Sequence, residues 1–413
     1  MTEEIKQRIE TIKAGKVPDG YKRTVVGIVP NEWEEKRLKQ VCFDSGTYGI
    51  NAPACDYNEK LPVYLRITDI DDNGRFISKN KVSVSDKCAN NYILNENDLV
   101  FARTGATTGK TYLYNSIDGE LVYAGFLIKF SINPSSANPY LVKQFCNSNY
   151  YWKWVSVMSA RSGQPGINAN EYSKYKFAMP NDINEQNRIA EILSKWDKAI
   201  ELQEKLIKKL ELQKKALMQR LLTPKEGWKK VKIGTLTREL SIRNYQNECI
   251  NVKSVSNKDG FINQEEQFSK RVASKDTSNY KKVSYGNIAY NPSRINVGSI
   301  AIYEDKEDGI VSPMYVVFEC KKINPHLLLL LLNTDKTQYD IKSYLSGSVR
   351  DSLNYSDLEK IEIFIPDERA QSLLFDFFNK KDLLYTKEKE KLKLLKQQQK
   401  AMQQLLLTGI VRV

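Results

Sequence analysis

Histidine is nearly absent: His326 is the single one in 413 residues. A histidine-dependent triad or a multi-histidine metal centre would have to use it. It lies beside Pro325, ahead of a leucine run and without partner residues nearby, and reads as structural. Cysteine is sparse as well. The six (Cys42, Cys55, Cys88, Cys146, Cys249, Cys320) contain no CxxC and no metal-ligand spacing. They read as reduced core thiols of a cytoplasmic protein, and no metal site is expected. Long apolar runs are missing: the longest, Leu327–Leu332, is six residues, against about 20 for a membrane span. The N-terminus, MTEEIKQRIE, is charged and helical in pattern rather than a secretory signal.

Catalytic motifs are incomplete. Arg103–Thr111 reads RTGATTGKT, but Gly105 and Gly109 enclose three residues, one fewer than a nucleotide-binding loop requires. The loop also runs into Tyr112-Leu113-Tyr114, a strand pattern, so no helix N-terminus would face a phosphate. Asn291-Pro292-Ser293-Arg294 echoes the Asn-Pro-Pro-aromatic motif of adenine methyltransferases. Its fourth residue offers no aromatic face to a flipped base, and no glycine-rich cofactor motif precedes it. The scattered Asp and Glu form no nuclease-like cluster. No catalytic residue is expected.

What the chain does have is positive charge, a long polar helix and a duplication. Lys plus Arg exceeds Asp plus Glu by 13, with pI near 9.1. Such an excess favours a polyanion, most often nucleic acid. Twenty-three tyrosines and many Asn and Ser add groups that hydrogen-bond phosphates and base edges. The stretch Glu185–Leu222 has neither Gly nor Pro. Ile189, Leu193, Trp196, Ile200, Ile207, Leu210, Leu217 and Leu221 recur on one face, with Gln203 and Lys214 in the gaps. That is the 3.5-residue repeat of a coiled-coil seam, on a helix about 57 Å long.

A shift of 185 residues lands that seam on Leu374, Phe378, Lys381, Tyr385, Glu388, Leu392, Leu395, Gln399, Met402 and Leu406. Polar residues fall against both earlier gaps, Glu388 for Gln203 and Gln399 for Lys214. The ends agree too, KALMQRLLT at Lys215–Thr223 against KAMQQLLLT at Lys400–Thr408. A period this long implies a duplicated module of globular domain plus helix.

The pattern divides the chain into a helical extension (1–26), a first β-rich domain (27–181), a central helix (182–223), a second β-rich domain (224–366) and a C-terminal helix (367–413). Strands are expected at Val63–Ile67, Asp98–Ala102, Lys110–Tyr114 and Tyr123–Ile132. Their counterparts are Ile250–Val255, Asn287–Tyr290, Gly298–Tyr303 and Met314–Glu319. A helical stretch follows in each module (Asn138–Met158, Asn324–Leu345), then a polar loop (Ser159–Asn170, Ser346–Asn354) and a short strand ending at Pro180 or Pro366. The fold class is α+β with an internal pseudo-two-fold repeat. Because the first helix leaves domain one for domain two, a second helix packed along it must run back, giving an antiparallel coiled coil. Two similar domains at the ends of such a rod could touch one duplex at two places. The extension has no assigned role; its Ile5/Ile9/Ile12 face is a candidate for packing near the returning C-terminal helix.

Candidate DNA contacts lie in the polar loops: Arg103, Thr107, Thr108, Lys110, Arg161 and Gln164 in the first module, and Arg294, Asn296, Ser299, Arg350 and Asn354 in the second. Arg can read guanine bidentately and Asn or Gln can read adenine.

This order of parts resembles the specificity (S) subunit of type I restriction–modification enzymes, over nearly the whole chain. The resemblance is carried by the Pro-Asn-Glu-Trp33 and Pro-Lys-Glu-Gly-Trp228 openings, Arg103–Lys110, Tyr290–Ser299 and the repeated helices with their Leu-Leu-Thr ends. It implies that each β-rich domain is a target recognition domain for one half of a bipartite, asymmetric double-stranded DNA sequence. The helices would set the gap between the halves and dock two modification (methyltransferase) subunits and, through them, restriction subunits. The chain would be a non-catalytic part of phage defence. S-adenosylmethionine, ATP and Mg²⁺ would belong to the partners. A specificity subunit of a type IIB-like system, or a bipartite DNA-binding scaffold or regulator outside restriction, is the alternative.

Overall fold

The structure, a computed structural model, describes residues 2–160, 163–257, 260–264, 276–346 and 352–413. It divides into two compact units, Met1–Gln203 with Lys391–Val413, and Glu204–Glu390. Each unit contains one β-rich body and half of each long helix.

The central helix runs Ile183–Leu221 and the C-terminal helix Glu368–Leu407. Both start the same way. Asp182 and Asp367 accept from the backbone N–H of Asn184 and Ala370 (2.9 and 2.8 Å), satisfying donors the first turn leaves open. Gln186 and Gln371 then reach back to the carbonyls of Pro180 and Pro366 (2.8 and 3.0 Å), fixing the angle between strand and helix. In the first unit Ile189 and Leu193 bury against Leu406 and Leu407, and Asp197 meets Gln399. In the second, Leu217 and Leu221 pack in one cluster with Leu374 and Phe378, and Lys214 meets Asp382. Within each unit the two helices therefore run antiparallel. Ile189, Leu193, Ile200, Phe378 and Leu406 are buried; Trp196, Ile207, Leu210, Leu217, Leu221, Leu374, Tyr385, Leu392, Leu395 and Met402 are half-buried. Gln203, one of the polar gaps, is buried too.

The two bodies have one antiparallel four-stranded sheet each, and the first adds a mixed sheet in which Leu121–Tyr123 runs parallel to Val63–Leu65. In the first unit Trp33–Arg37 pairs with Lys176–Pro180, joining the entry of the body to its exit. A four-stranded sheet has the order Thr47–Tyr48, Leu127–Ser131, Asp98–Ala102, Thr111–Leu113. In the second unit Lys229–Lys232 pairs with Glu362–Ile365, and the corresponding sheet is ordered Thr237–Leu240, Val316–Cys320, Ile288–Tyr290, Ile300–Ile302. Central strands buried on both faces explain the apolar runs at 99–102 and 288–290.

Several expectations are corrected. The single strand expected at Tyr123–Ile132 is two, Leu121–Tyr123 and Leu127–Ser131, in different sheets. A tight turn separates them, with Leu127 N–H bonded to the Ala124 carbonyl at 2.8 Å. The helix expected at Asn138–Met158 breaks into Pro139–Phe145 and Asn149–Met158, because Ser148 caps a new start. Its counterpart breaks into Pro325–Leu332 and Asp335–Ser346. Of the supposed core thiols only Cys146 is fully buried, and Cys88 is exposed. The extension is a helix, Glu3–Lys13, followed by a hairpin pairing Tyr21–Thr24 with Gly27–Pro30, which straddles position 26. It grips the end of the chain: Arg8 donates to the Ile410 carbonyl and Tyr21 to the Gly409 carbonyl, both at 2.7 Å. Arg412 in turn forks onto the buried carboxylate of Glu185 (2.7 and 3.1 Å). No helix among the described residues is long and apolar enough to cross a membrane.

Candidate nucleic-acid interface

In the first unit the strand Asp98–Ala102 ends where Arg103–Lys110 turns back. Gly105 and Gly109 have φ of +75° and +94°, values that side chains resist. Val155 and Trp152 also crowd the space a Cβ on Gly109 would need. A second loop is fastened onto this turn. Thr104 bridges to Gly166, Gly105 N–H bonds the Pro165 carbonyl at 3.0 Å, and Ile167 N–H bonds the Arg103 carbonyl at 2.9 Å. Burial of Ile167 in the core holds the loop there. Arg103 and Gln164 are thereby brought to one place.

Each candidate has a distinct environment. The Arg103 guanidinium lies over the Tyr48 ring, 4.9 Å from its centroid. The ring restricts it while leaving in-plane donors available. Lys110 Nζ is 2.6 Å from Asp72 Oδ1, and the Lys110 hydrogen bond holds that carboxyl below its usual range. Gln164 is exposed. Thr108 is buried, with its hydroxyl donated to the Gly105 carbonyl at 2.7 Å, so it shapes the turn. The Thr107 hydroxyl is buried and has no partner among the described residues. Arg161 lies outside the described residues.

The second unit repeats the juxtaposition. Asn291 N–H bonds the Ser299 carbonyl, closing the loop that carries Arg294 and Asn296, both exposed. Leu353 N–H bonds the Pro292 carbonyl at 3.1 Å, the counterpart of Ile167 to Arg103. This brings Asn354 beside the loop; its side chain is exposed and makes no capping bond. Ser299 is 2% exposed and its hydroxyl is bonded to the Val255 carbonyl at 3.1 Å, so it too shapes its loop. Arg350 lies outside the described residues. Tyr48 and Asp72, which position Arg103 and Lys110, were missed in the sequence, because no local pattern links residues on separate strands and turns.

Residues 30–212 match the family described as type I restriction modification DNA specificity domain. The chain is 25% identical to a putative type I restriction enzyme MjaX specificity subunit of Methanocaldococcus jannaschii, over 96% of this chain and 97% of that protein. It is also similar to the solved S subunit of a type I restriction–modification system from M. genitalium, at 14% identity and TM-score 0.55, covering 92% of this chain and 96% of that one. A chain from a structure describing complex assembly and conformational transition of the type I R–M system matches at 14% identity and TM-score 0.54, over 93% of this chain and 99% of that one. The likeness to both structures is one of fold.

Proposed function

The chain belongs to the specificity-subunit family of type I restriction–modification systems, and from that premise we propose how its parts divide the work. Each β-rich body reads one half of a bipartite, asymmetric duplex sequence. The observation that carries this reading is the repeated juxtaposition of loops, Ile167 to Arg103 in one unit and Leu353 to Pro292 in the other. The frame is the same, but the side chains on it differ: Arg103, Lys110 and Gln164 against Arg294, Asn296 and Asn354. Two half-sites of different sequence need this combination. Thr108 and Ser299 hold the loops in shape, and Arg161 and Arg350 add basic residues in the adjoining sequence. A good bidentate contact supplies about 1–3 kcal/mol of discrimination, and the net charge supplies sequence-independent attraction.

The chain is non-catalytic in this reading. The long helices set the distance between half-sites and dock two methyltransferase subunits, through which restriction subunits join. Leu202 and Leu394 in the first unit, and Leu373 and Phe377 in the second, are exposed on those helices and offer apolar area to such partners. S-adenosylmethionine, ATP and Mg²⁺ act on the partners, in the cytoplasm. The test is mapping of modified adenines in the source genome with the gene intact and deleted. Loss of methylation at one bipartite motif is expected; an unchanged methylome in a strain with an active system would refute the reading.

A further inference from the structure

Two cavities, one in each unit, occupy the same place in the duplicated module. In the first unit a cavity of about 220 Å³ lies between Phe145, Phe177 and the last turn of the C-terminal helix at Leu407. In the second, one of about 160 Å³ lies between Leu331, Ile363 and the last turn of the central helix at Leu222. These are repeat partners, 186 residues apart for the first two pairs and 185 for the leucines.

The walls are built with the same bonds. Ser148 Oγ donates to the Phe145 carbonyl (2.9 Å) and accepts from Tyr151 N–H (3.2 Å). Thr334 Oγ1 donates to the Leu331 carbonyl (2.8 Å) and accepts from Thr337 N–H (3.4 Å). Thr408 donates to the Gln404 carbonyl at 2.7 Å, and Thr223 to the Gln219 carbonyl at 2.6 Å. The rims are basic. Lys153 and Lys400 are exposed beside the first cavity and Lys336 beside the second. None of the three pairs with a carboxylate among the described residues, and Glu362 on the second wall is paired with Lys230. Gln219 Nε2, on the same wall, is a buried donor without a partner among the described residues.

Within this one chain the two halves differ at the loops proposed to read DNA, and here they keep Gln404 and Gln219, Leu407 and Leu222, and Thr408 and Thr223 at equivalent places. The segments lining these cavities include the KALMQRLLT and KAMQQLLLT ends, among the stretches most alike between the halves. A cavity built at the same place in both halves, with these positions kept, suits something both halves meet in common. An apolar cavity of about 150 Å³ accepts a benzene-sized group, and Phe145 and Phe177 line the first of these cavities, Leu331 and Ile363 the second. We propose that each cavity receives the same anchor from one of two methyltransferase subunits: an aromatic or branched aliphatic side chain with a carboxylate beside it. The carboxylate would meet the rim lysines, and in the second cavity an acceptor on the anchor segment would meet Gln219. This rests on the docking reading above and adds where each copy is held.

The experiment is native mass spectrometry of the full chain with its methyltransferase subunit. The unmodified chain is expected to carry two copies. Thr408→Trp fills the first cavity from its mouth and Thr223→Trp the second. Each is expected to leave one copy, and the double variant none, with DNA binding of the chain alone retained. Two copies held at unchanged affinity by both single variants would overturn the proposal while leaving docking intact. Failure of the unmodified chain to bind any copy would overturn the docking reading itself. Should the tryptophans impair folding, Lys153→Glu reverses an exposed charge, and Lys336→Glu does so while giving up the Lys336 contact over the Phe364 ring. Each is expected to weaken one copy about tenfold, and unchanged affinity in both would equally refute the anchor.

Discussion

Asp197 of the central helix accepts a hydrogen bond from the side-chain amide of Gln399 on the C-terminal helix. The same carboxylate accepts from the Tyr140 hydroxyl and from Gln144 Nε2 at 3.1 Å, so one acid ties both helices to the short helix Pro139–Phe145. The repeat shift of 185 residues carries Asp197 to Asp382 and, in reverse, Gln399 to Lys214. Those two are paired in the second unit. The polar seam residues Gln399 and Lys214 thus each face an aspartate. A polar seam residue with a dedicated partner fixes which residues lie opposite each other, at some cost in stability. Burial, reinforced by Asp197, pushes the Tyr140 phenol well above its usual range, so it remains a donor. Asp197→Ala leaves three donors without their acceptor and is expected to cost about 1–3 kcal/mol in urea unfolding. Gln399→Leu should cost less, since Asp197 keeps its other donors.

The two arginines make separable predictions. Arg103→Ala should relax recognition in one half-site by about 1–3 kcal/mol and leave the other as it was; Arg294→Ala should do the converse. Binding to randomised half-sites measures both, and equal loss at both half-sites from either variant would exclude base reading. Asp72 engages Lys110 at 2.6 Å. Asp72→Asn should therefore free a cation, raising affinity for all sequences and steepening the salt dependence by about one phosphate contact.

The duplication and both seams were legible because a 3.5-residue period over such lengths has few other physical causes. Strand positions near 98–102 and 288–290 were legible from their apolar runs. The turn at Ala124–Phe126 was not: Gly125 lies within a long apolar stretch, and its N–H bonds the distant Ile50 carbonyl at 2.8 Å. The arginine loops were recognised by composition, but their pairing with the loops at 164–167 and 353–354 depends on Ile167 and Leu353 entering the core. Thr108 and Ser299 looked like ligands because exposed and buried hydroxyls read alike in sequence.

Thiol chemistry gives an independent check of the packing. Burial pushes the Cys42 and Cys320 thiols up to about 12 and the Cys146 thiol well above its ordinary value. A raised thiol pKa keeps the neutral, unreactive form as pH rises. Alkylation of the native chain at about pH 8 should mark exposed Cys88 first and spare Cys42, Cys146 and Cys320, and raising the pH by about one unit should not recruit those three. Rapid native labelling of Cys146 would contradict its place in the core.

The spacing between half-sites is the prediction most sensitive to the long helices. At about 1.5 Å per residue, deleting four residues from the central helix removes about 6 Å, or roughly two base pairs at 3.4 Å each. In the proposed reading the half-sites are read by side chains outside the helix, and so they should not change. Four residues are not a whole heptad, so the deletion also shifts the seam phase against its partner. Matched seven-residue deletions in both helices keep the phase and remove about 10 Å, or roughly three base pairs. Methylome mapping of both variants gives gap and half-sites together. A shortened gap with intact half-sites supports the helices as the ruler. Altered half-sites with an unchanged gap would place the ruler elsewhere, because a change confined to the helices would then act through the loops instead of the distance between them.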